Sequence, residues 1–304
     1  MAALVAFVGL GCGPGATVTT SRAAQAESPD FATPTLWRAL RPDGGEAFYL
    51  LGSVHLGRTS MLPLPASVDR AYARSDELVL EVDFDELESE SAMRLARRYG
   101  FVKAPETLSD RVSEDTLDAL EDYLEDRGDA LATYLQFEPW FLATHLTKRE
   151  ALRLGLDPEF GIDQLFATRA ARKKPIAALE TAESQFALLA GLPRDVQERM
   201  LLDALRRSDE LASETESLIR AWERGDDAEL AQIAFRSLHR TPELDIFYEQ
   251  IVFGRNESMA KRLAVLAQDG KLRFVVVGAA HLIGKRGIPA LLRDYGFRLQ
   301  KTRE

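Results

Sequence analysis

The chain has 304 residues, 46% hydrophobic and 28% charged, with 20 Gly, 13 Pro, four His and one Cys, a globular composition that excludes disordered and fibrous architectures. A formal charge of −10, from 38 basic and 48 acidic residues with no clustered Lys/Arg stripe, argues against nucleic-acid partners. The single Cys excludes disulfide frameworks and CxxC motifs, so any metal falls to Asp, Glu or the four histidines, His55, His145, His239 and His281.

Residues 4–10 are almost wholly apolar, and Ala24-Gln25-Ala26 before Glu27 matches the A-x-A cleavage pattern. This predicts a signal peptide over 1–26 and an exported mature protein, periplasmic or secreted. Cys12, after Gly9-Leu10-Gly11, offers a second reading as a lipid-attachment site. The apolar run falls short of the ~20 residues that span a bilayer, and no later segment approaches that length. The glycines at 9, 11, 13 and 15 mimic a dinucleotide loop, but Pro14 stands where the motif ends in Gly and no helix pattern follows.

From Leu36 the sequence reads as a short strand, a turn at Pro42-Asp43-Gly44-Gly45 and a second strand over 47–52. A helix is expected over 67–75 and a strand over 77–83, where apolar Leu78, Leu80 and Val82 alternate with Val79, Glu81 and Asp83. Between about 85 and 172 apolar residues recur at three and four, the mark of a helical insertion, with Pro139 just inside a helix start. Residues 175–179 read as a short buried strand and 181–189 as a helix. From 193 to 268 the pattern is helical again, ending in one long helix over 242–268 capped at Asp269-Gly270. The run 272–277, apolar except for Arg273 and without alternation, predicts a central strand buried on both faces. A helix near 288–294 and an edge strand over 297–300 close a single α/β domain, 36–304, with a largely helical cap.

Phe48-Tyr49-Leu50-Leu51-Gly52-Ser53-Val54-His55 has a distant counterpart in Phe274-Val275-Val276-Val277-Gly278-Ala279-Ala280-His281. Both read strand, Gly, two small or apolar residues, His. Gly at the end of a buried strand permits a sharp turn and close approach to a bound group. The His three residues on then stands beyond the carboxyl ends of the strands, where open α/β sheets bind ligands. If the strand ending in Glu81 runs parallel, a carboxylate joins two imidazoles. Two His and one carboxylate with an open position form a common catalytic metal set.

The pattern resembles the TraB/PrgY/GumN family, related to the Tiki metalloproteases. The resemblance rests on Leu36-Trp37-Arg38, Gly52-Ser53-Val54-His55, Leu80-Glu81, Glu138-Pro139-Trp140, Gly161-Ile162-Asp163, Lys174-Pro175-Ile176, Leu179-Glu180-Thr181, Arg255-Asn256 and Gly278-Ala279-Ala280-His281. It implies a mixed, partly parallel sheet built from two G-x-x-H strand-turn units, of the erythromycin-esterase (EreA/ChaN-like) type. It also implies a metal-dependent hydrolase with a divalent ion (Mn, Co or Zn) and a site of His55, His281, Glu81 and Arg255. His55, His281 and Glu81 would hold the metal and Arg255 would support developing negative charge.

Two other readings stay open: a protein that sequesters a peptide or small molecule without chemistry, and a metal-independent esterase with a His general base. The chain has neither a G-x-S-x-G elbow nor an H-E-x-x-H helix. Asp83 opens an acidic stretch that reads as surface, Glu180 reads as a helix-start residue near the crevice, and His145, His239 and Trp140 read as structural. Asn256-Glu257-Ser258 fits a glycosylation sequon, but a helix is a poor acceptor.

Overall fold

Residues 47–53 and 273–278 are buried throughout, and such unalternating runs are stable only with apolar layers on both faces. In the computed structural model, which describes residues 32–84, 86, 90–206 and 208–302, they are adjacent parallel strands inside a six-stranded sheet. The strands are β1 (Leu36–Leu40), β2 (Glu46–Ser53), β3 (Glu77–Leu80), β4 (Ile176–Ala178), β5 (Arg273–Gly278) and β6 (Arg298–Thr302), in the order β4-β3-β5-β2-β1-β6. The four strands β4, β3, β5 and β2 run parallel, and β1 pairs antiparallel with both β2 and β6. The predicted signal peptide, its cleavage site and Cys12 lie outside the described residues.

The helices in chain order are α1 (Ala66–Arg74), α2 (Glu90–Tyr99), α3 (Glu114–Glu125), α4 (Pro139–Arg153), α5 (Ile162–Ala170) and α6 (Ala182–Ala190). They continue with α7 (Arg194–Arg206), α8 (Ser208–Glu223), α9 (Asp227–Ala234), α10 (Pro242–Tyr248), α11 (Gly254–Leu266) and α12 (Ile288–Asp294). Strand alternation divides the layers. Leu51, Leu80, Phe274 and Val276 pack with α1, α5, α8 and α9, whereas Leu50, Val79, Val275 and Val277 pack with α11 and α12. A separate apolar cluster joins α3, α4, α6, α7 and α10, so the helical part draws on segments before and after β4. Trp140 is fully buried there and donates its indole N–H to the Tyr99 carbonyl at 3.2 Å, as a core anchor should.

Three elements differ from expectation. The strand begun at Glu77 stops pairing at Leu80, because both neighbouring registers end there; the Glu81 carbonyl still accepts from the Glu180 N–H at 2.8 Å. β4 is an edge strand and only half-buried, not a buried one. The single helix expected over 242–268 is broken by a wide π turn at Glu249–Phe253, immediately before Arg255. Such wide turns recur at functional sites because the extra residue re-aims the side chains that follow.

Candidate active site

All four parallel strands deliver their carboxyl ends to one edge of the sheet, and the residues just beyond them meet there. After β2 the chain is stitched to the segment preceding α5. The Gly57 and Asp157 backbones exchange hydrogen bonds of 3.0 and 2.8 Å, and Ile162 N–H donates to the Val54 carbonyl at 3.1 Å. Glycine is required on both sides of this seam: a Cβ on Gly57 would lie 2.2 Å from the Phe160 carbonyl oxygen, and one on Gly161 would lie 2.5 Å from the His55 carbonyl oxygen. Gly161→Ala is therefore expected to cost about 1–3 kcal/mol and to pull His55 away from α5. Urea unfolding checks this, and wild-type stability would show that the seam yields freely.

The seam sets His55 Nδ1 against Asp163 in the first turn of α5, where the imidazole donates to Oδ2. His281 is completely buried in the short turn after β5. Its Nδ1 donates to Asn256 Oδ1 at 2.5 Å, and Asn256 Nδ2 donates to the Arg286 carbonyl at 2.8 Å, which fixes the orientation of the amide. Each imidazole thus has Nδ1 committed, and in the neutral ring the lone pair falls on Nε2. His281 Nε2 lies 3.4 Å from Arg255 Nη1 and 3.8 Å from Glu81 Oε1. His55 Nε2 is buried with no hydrogen-bond partner among the described residues.

Glu81 accepts the Gly278 N–H at 2.5 Å on Oε1 and Arg255 Nη2 at 2.7 Å on Oε2. Arg255 also grips Glu180, with Nε 3.0 Å from both carboxylate oxygens, and Gln185 Nε2 donates to Glu180 at 3.1 Å. The four expected residues therefore converge. Their meeting point lies in front of Gly278, where a Cβ would stand 3.3 Å from Glu81 Oε1, 3.3 Å from His55 Nε2 and 3.5 Å from His281 Cδ2.

Burial alone would raise the Glu81 pKa, but His281, the Arg255 guanidinium, His55 and the Gly278 N–H hold it down at about 2. Burial, with Arg255 and His55 alongside, pushes His281 down to about 3, so it is a neutral ring at neutral pH. Burial opposes the charge on His55 too, yet Asp163 and Glu81 outweigh it and raise its pKa.

Sequence reasoning left three members of this cluster without an assigned part. In the sequence Asp163 is visible only as the acid of Gly161-Ile162-Asp163, Asn256 as the neighbour of Arg255 and the first residue of a sequon, and Glu180 as a helix-start residue near the crevice. Each was legible as a local feature, but its partner is distant in sequence. Asp83 lies past the end of β3, its carbonyl accepting the Glu86 N–H at 3.0 Å. His145 stacks near Tyr134 and Phe137, and His239 is exposed beside Asp245.

The profile of the TraB/PrgY/gumN family matches residues 35–301, a span that contains β1 to β5, all but the last residue of β6, and every residue of the cluster. The chain belongs to this family. Among its relatives, the uncharacterized protein YbaP of Escherichia coli (strain K12) is 29% identical over 281 residues, 86% of this chain and 98% of that protein. YbaP of Shigella flexneri is 28% identical over the same coverage. The metalloprotease TIKI2 of Xenopus tropicalis is 33% identical over 63 residues, 20% of this chain and 12% of that protein. No solved structure matches the chain significantly. No helix among the described residues is long and apolar enough to cross a membrane.

The donor set of this family member suits a divalent cation by chemistry and charge. With both rings neutral, as ligation of a metal requires, the carboxylates of Glu81, Asp163 and Glu180 against the one guanidinium of Arg255 leave two negative charges. Histidines that ligate metals typically donate their other ring N–H to a carboxylate or carbonyl, as His55 and His281 do here. Among the described residues no three His, Cys, Asp or Glu side chains stand at coordination spacing around one point, and Arg255 Nη1 occupies the approach to His281 Nε2.

Proposed function

We propose that this TraB/PrgY/gumN-family chain is an exported, metal-dependent hydrolase of peptide or similar amide or ester bonds. The observation that carries the reading is the pair of G-x-x-H imidazoles, each locked at Nδ1 so that Nε2 is the ring nitrogen nearest Glu81 and Gly278. The partial likeness to a protein named as a metalloprotease supports it. A divalent ion held by His55, His281 and Glu81 would supply Lewis acidity and a water whose pKa falls to about 7.

The chain's own groups have separable roles. Asp163 and Asn256 hold the ring tautomers, Gly278 N–H and Arg255 keep Glu81 ionised, and Glu180 anchors Arg255. The guanidinium, held by Glu81 and Glu180, would stabilise negative charge developing on a substrate carbonyl oxygen. A second reading has its own observation: His55 and Asp163 form an imidazole–carboxylate pair whose Nε2 has no hydrogen-bond partner among the described residues, the arrangement of a general base that needs no metal.

The test is hydrolysis of blocked peptides and simple esters before and after chelation, with Mn, Co and Zn added back. The reading expects activity to fall by about 100-fold or more on chelation, to return with metal, and to be lost in Glu81→Gln. Activity that survives exhaustive chelation would transfer the chemistry to His55 and Asp163. Retention of peptides with no turnover would make the protein a sequestering one. Export is checked by N-terminal sequencing of the mature protein, expected to begin at Glu27; a lipid-modified Cys12 would replace that reading.

A further inference from the structure

The residues between Gly and His in the two repeats do not join the charged cluster. Ser53 and Val54 from the first turn, and Ala279 and Ala280 from the second, line an adjoining cavity of about 50 Å³. Thr215 and Leu218 of α8 and Ala234 of α9 also line it. His55 is part of the same wall, so one imidazole borders both the cavity and the cluster.

Apart from His55 the lining residues are aliphatic except for Ser53 and Thr215, which carry two hydroxyls. Their residues are 1% and 7% exposed, and neither hydroxyl has a hydrogen-bond partner among the described residues. Burying a hydroxyl unpaired is unfavourable, and two of them in one apolar cavity suit a ligand that brings its own amide. A water needs about 10–15 Å³ of such space, so the cavity has room for about three or four heavy atoms, the size of an isopropyl or isobutyl group.

The geometry points to a substrate subsite: the cavity takes the aliphatic side chain of Val or Leu from the residue flanking the bond to be cleaved, and the Ser53 and Thr215 hydroxyls bind the adjoining peptide amide. This rests on the hydrolase reading for the identity of the ligand as a peptide. It explains why the positions between Gly and His are small or apolar in both repeats.

The experiment is equilibrium binding of blocked Ala-Xaa-Ala peptides, with Xaa as Leu, Val, Asp or Lys, to the Glu81→Gln protein, which needs no turnover. Leu and Val peptides are expected to bind at least about tenfold more tightly than Asp and Lys peptides. Ala234→Phe, which fills the cavity, is expected to abolish that preference, and Leu218→Phe, at a less buried position, to reduce it. Thr215→Val is expected to weaken all four peptides by a similar factor of about three to ten. Equal affinity for all four peptides, or a preference unchanged in both Phe variants, would overturn the subsite. Selective binding with no hydrolysis by the wild-type chain would sink the hydrolase reading and leave the subsite standing; hydrolysis without side-chain preference would do the reverse.

Discussion

Arg255→Met is expected to lower the unfolding free energy by about 3–5 kcal/mol and the melting temperature by on the order of 10 °C. Arg255 is 4% exposed and is shared between Glu81 and Glu180. Methionine fills much of the space but leaves Glu81, ionised down to about pH 2 in the native protein, with one cationic partner fewer. The loss comes chiefly from stranding that carboxylate, so Arg255→Met combined with Glu81→Gln should cost clearly less than the two single changes added together. Arg255→Lys should recover only part of the stability, because an ammonium cannot span both carboxylates as the guanidinium does. Strict additivity in the double variant would mean that the two residues do not depend on one another.

Asp163→Asn is expected to have the largest effect on the site with a small effect on shape. In the metal-free protein the His55 pKa lies above its ordinary value of 6.5, because Asp163 and Glu81 outweigh burial. With Asn in place of Asp163, burial prevails and the titration moves down, which the imidazole resonance would report. A pKa raised on folding stabilises the native state fully below the unfolded value and loses that contribution as pH rises through the folded value. The stability cost of Asp163→Asn should therefore be greatest in acid and shrink as pH rises past the His55 pKa. Loss of the carboxylate partner should also weaken divalent-metal binding by about 10–100-fold. An unshifted His55 titration would show that the Asp163 contact does not govern the ring.

Much of this was legible in the sequence because it depends on short-range pattern. The run at 272–277, apolar but for Arg273, predicts a strand buried on both faces, and β5 lies inside the sheet with apolar layers on either side. The repeated Gly-x-x-His is legible for the same reason, and parallel pairing of β2 with β5 brings His55 and His281 to one edge. The position of Glu81 followed from its place at the end of an apolar strand.

What the sequence could not display is what depends on pairing across the chain. Asp163 reaches His55 only because Gly57 and Gly161 allow two backbone segments to touch. The continuous periodicity of 242–268 hides the wide turn that precedes Arg255, since a π turn keeps the helical run of apolar residues while shifting its phase. β4 reads as buried because its three residues are apolar, yet its place at the edge of the sheet is decided by topology, which leaves it half-buried.

The central claim is that His55 and His281 jointly hold a divalent ion, and metal stoichiometry tests it most directly. Wild-type mature protein loaded with Mn, Co or Zn in turn and desalted should retain about one ion per chain with at least one of the three, as a single-ion site requires. The His55→Ala, His281→Ala double variant, confirmed as folded by circular dichroism, should retain none. Equal metal content in the wild-type and double-variant proteins would contradict the account.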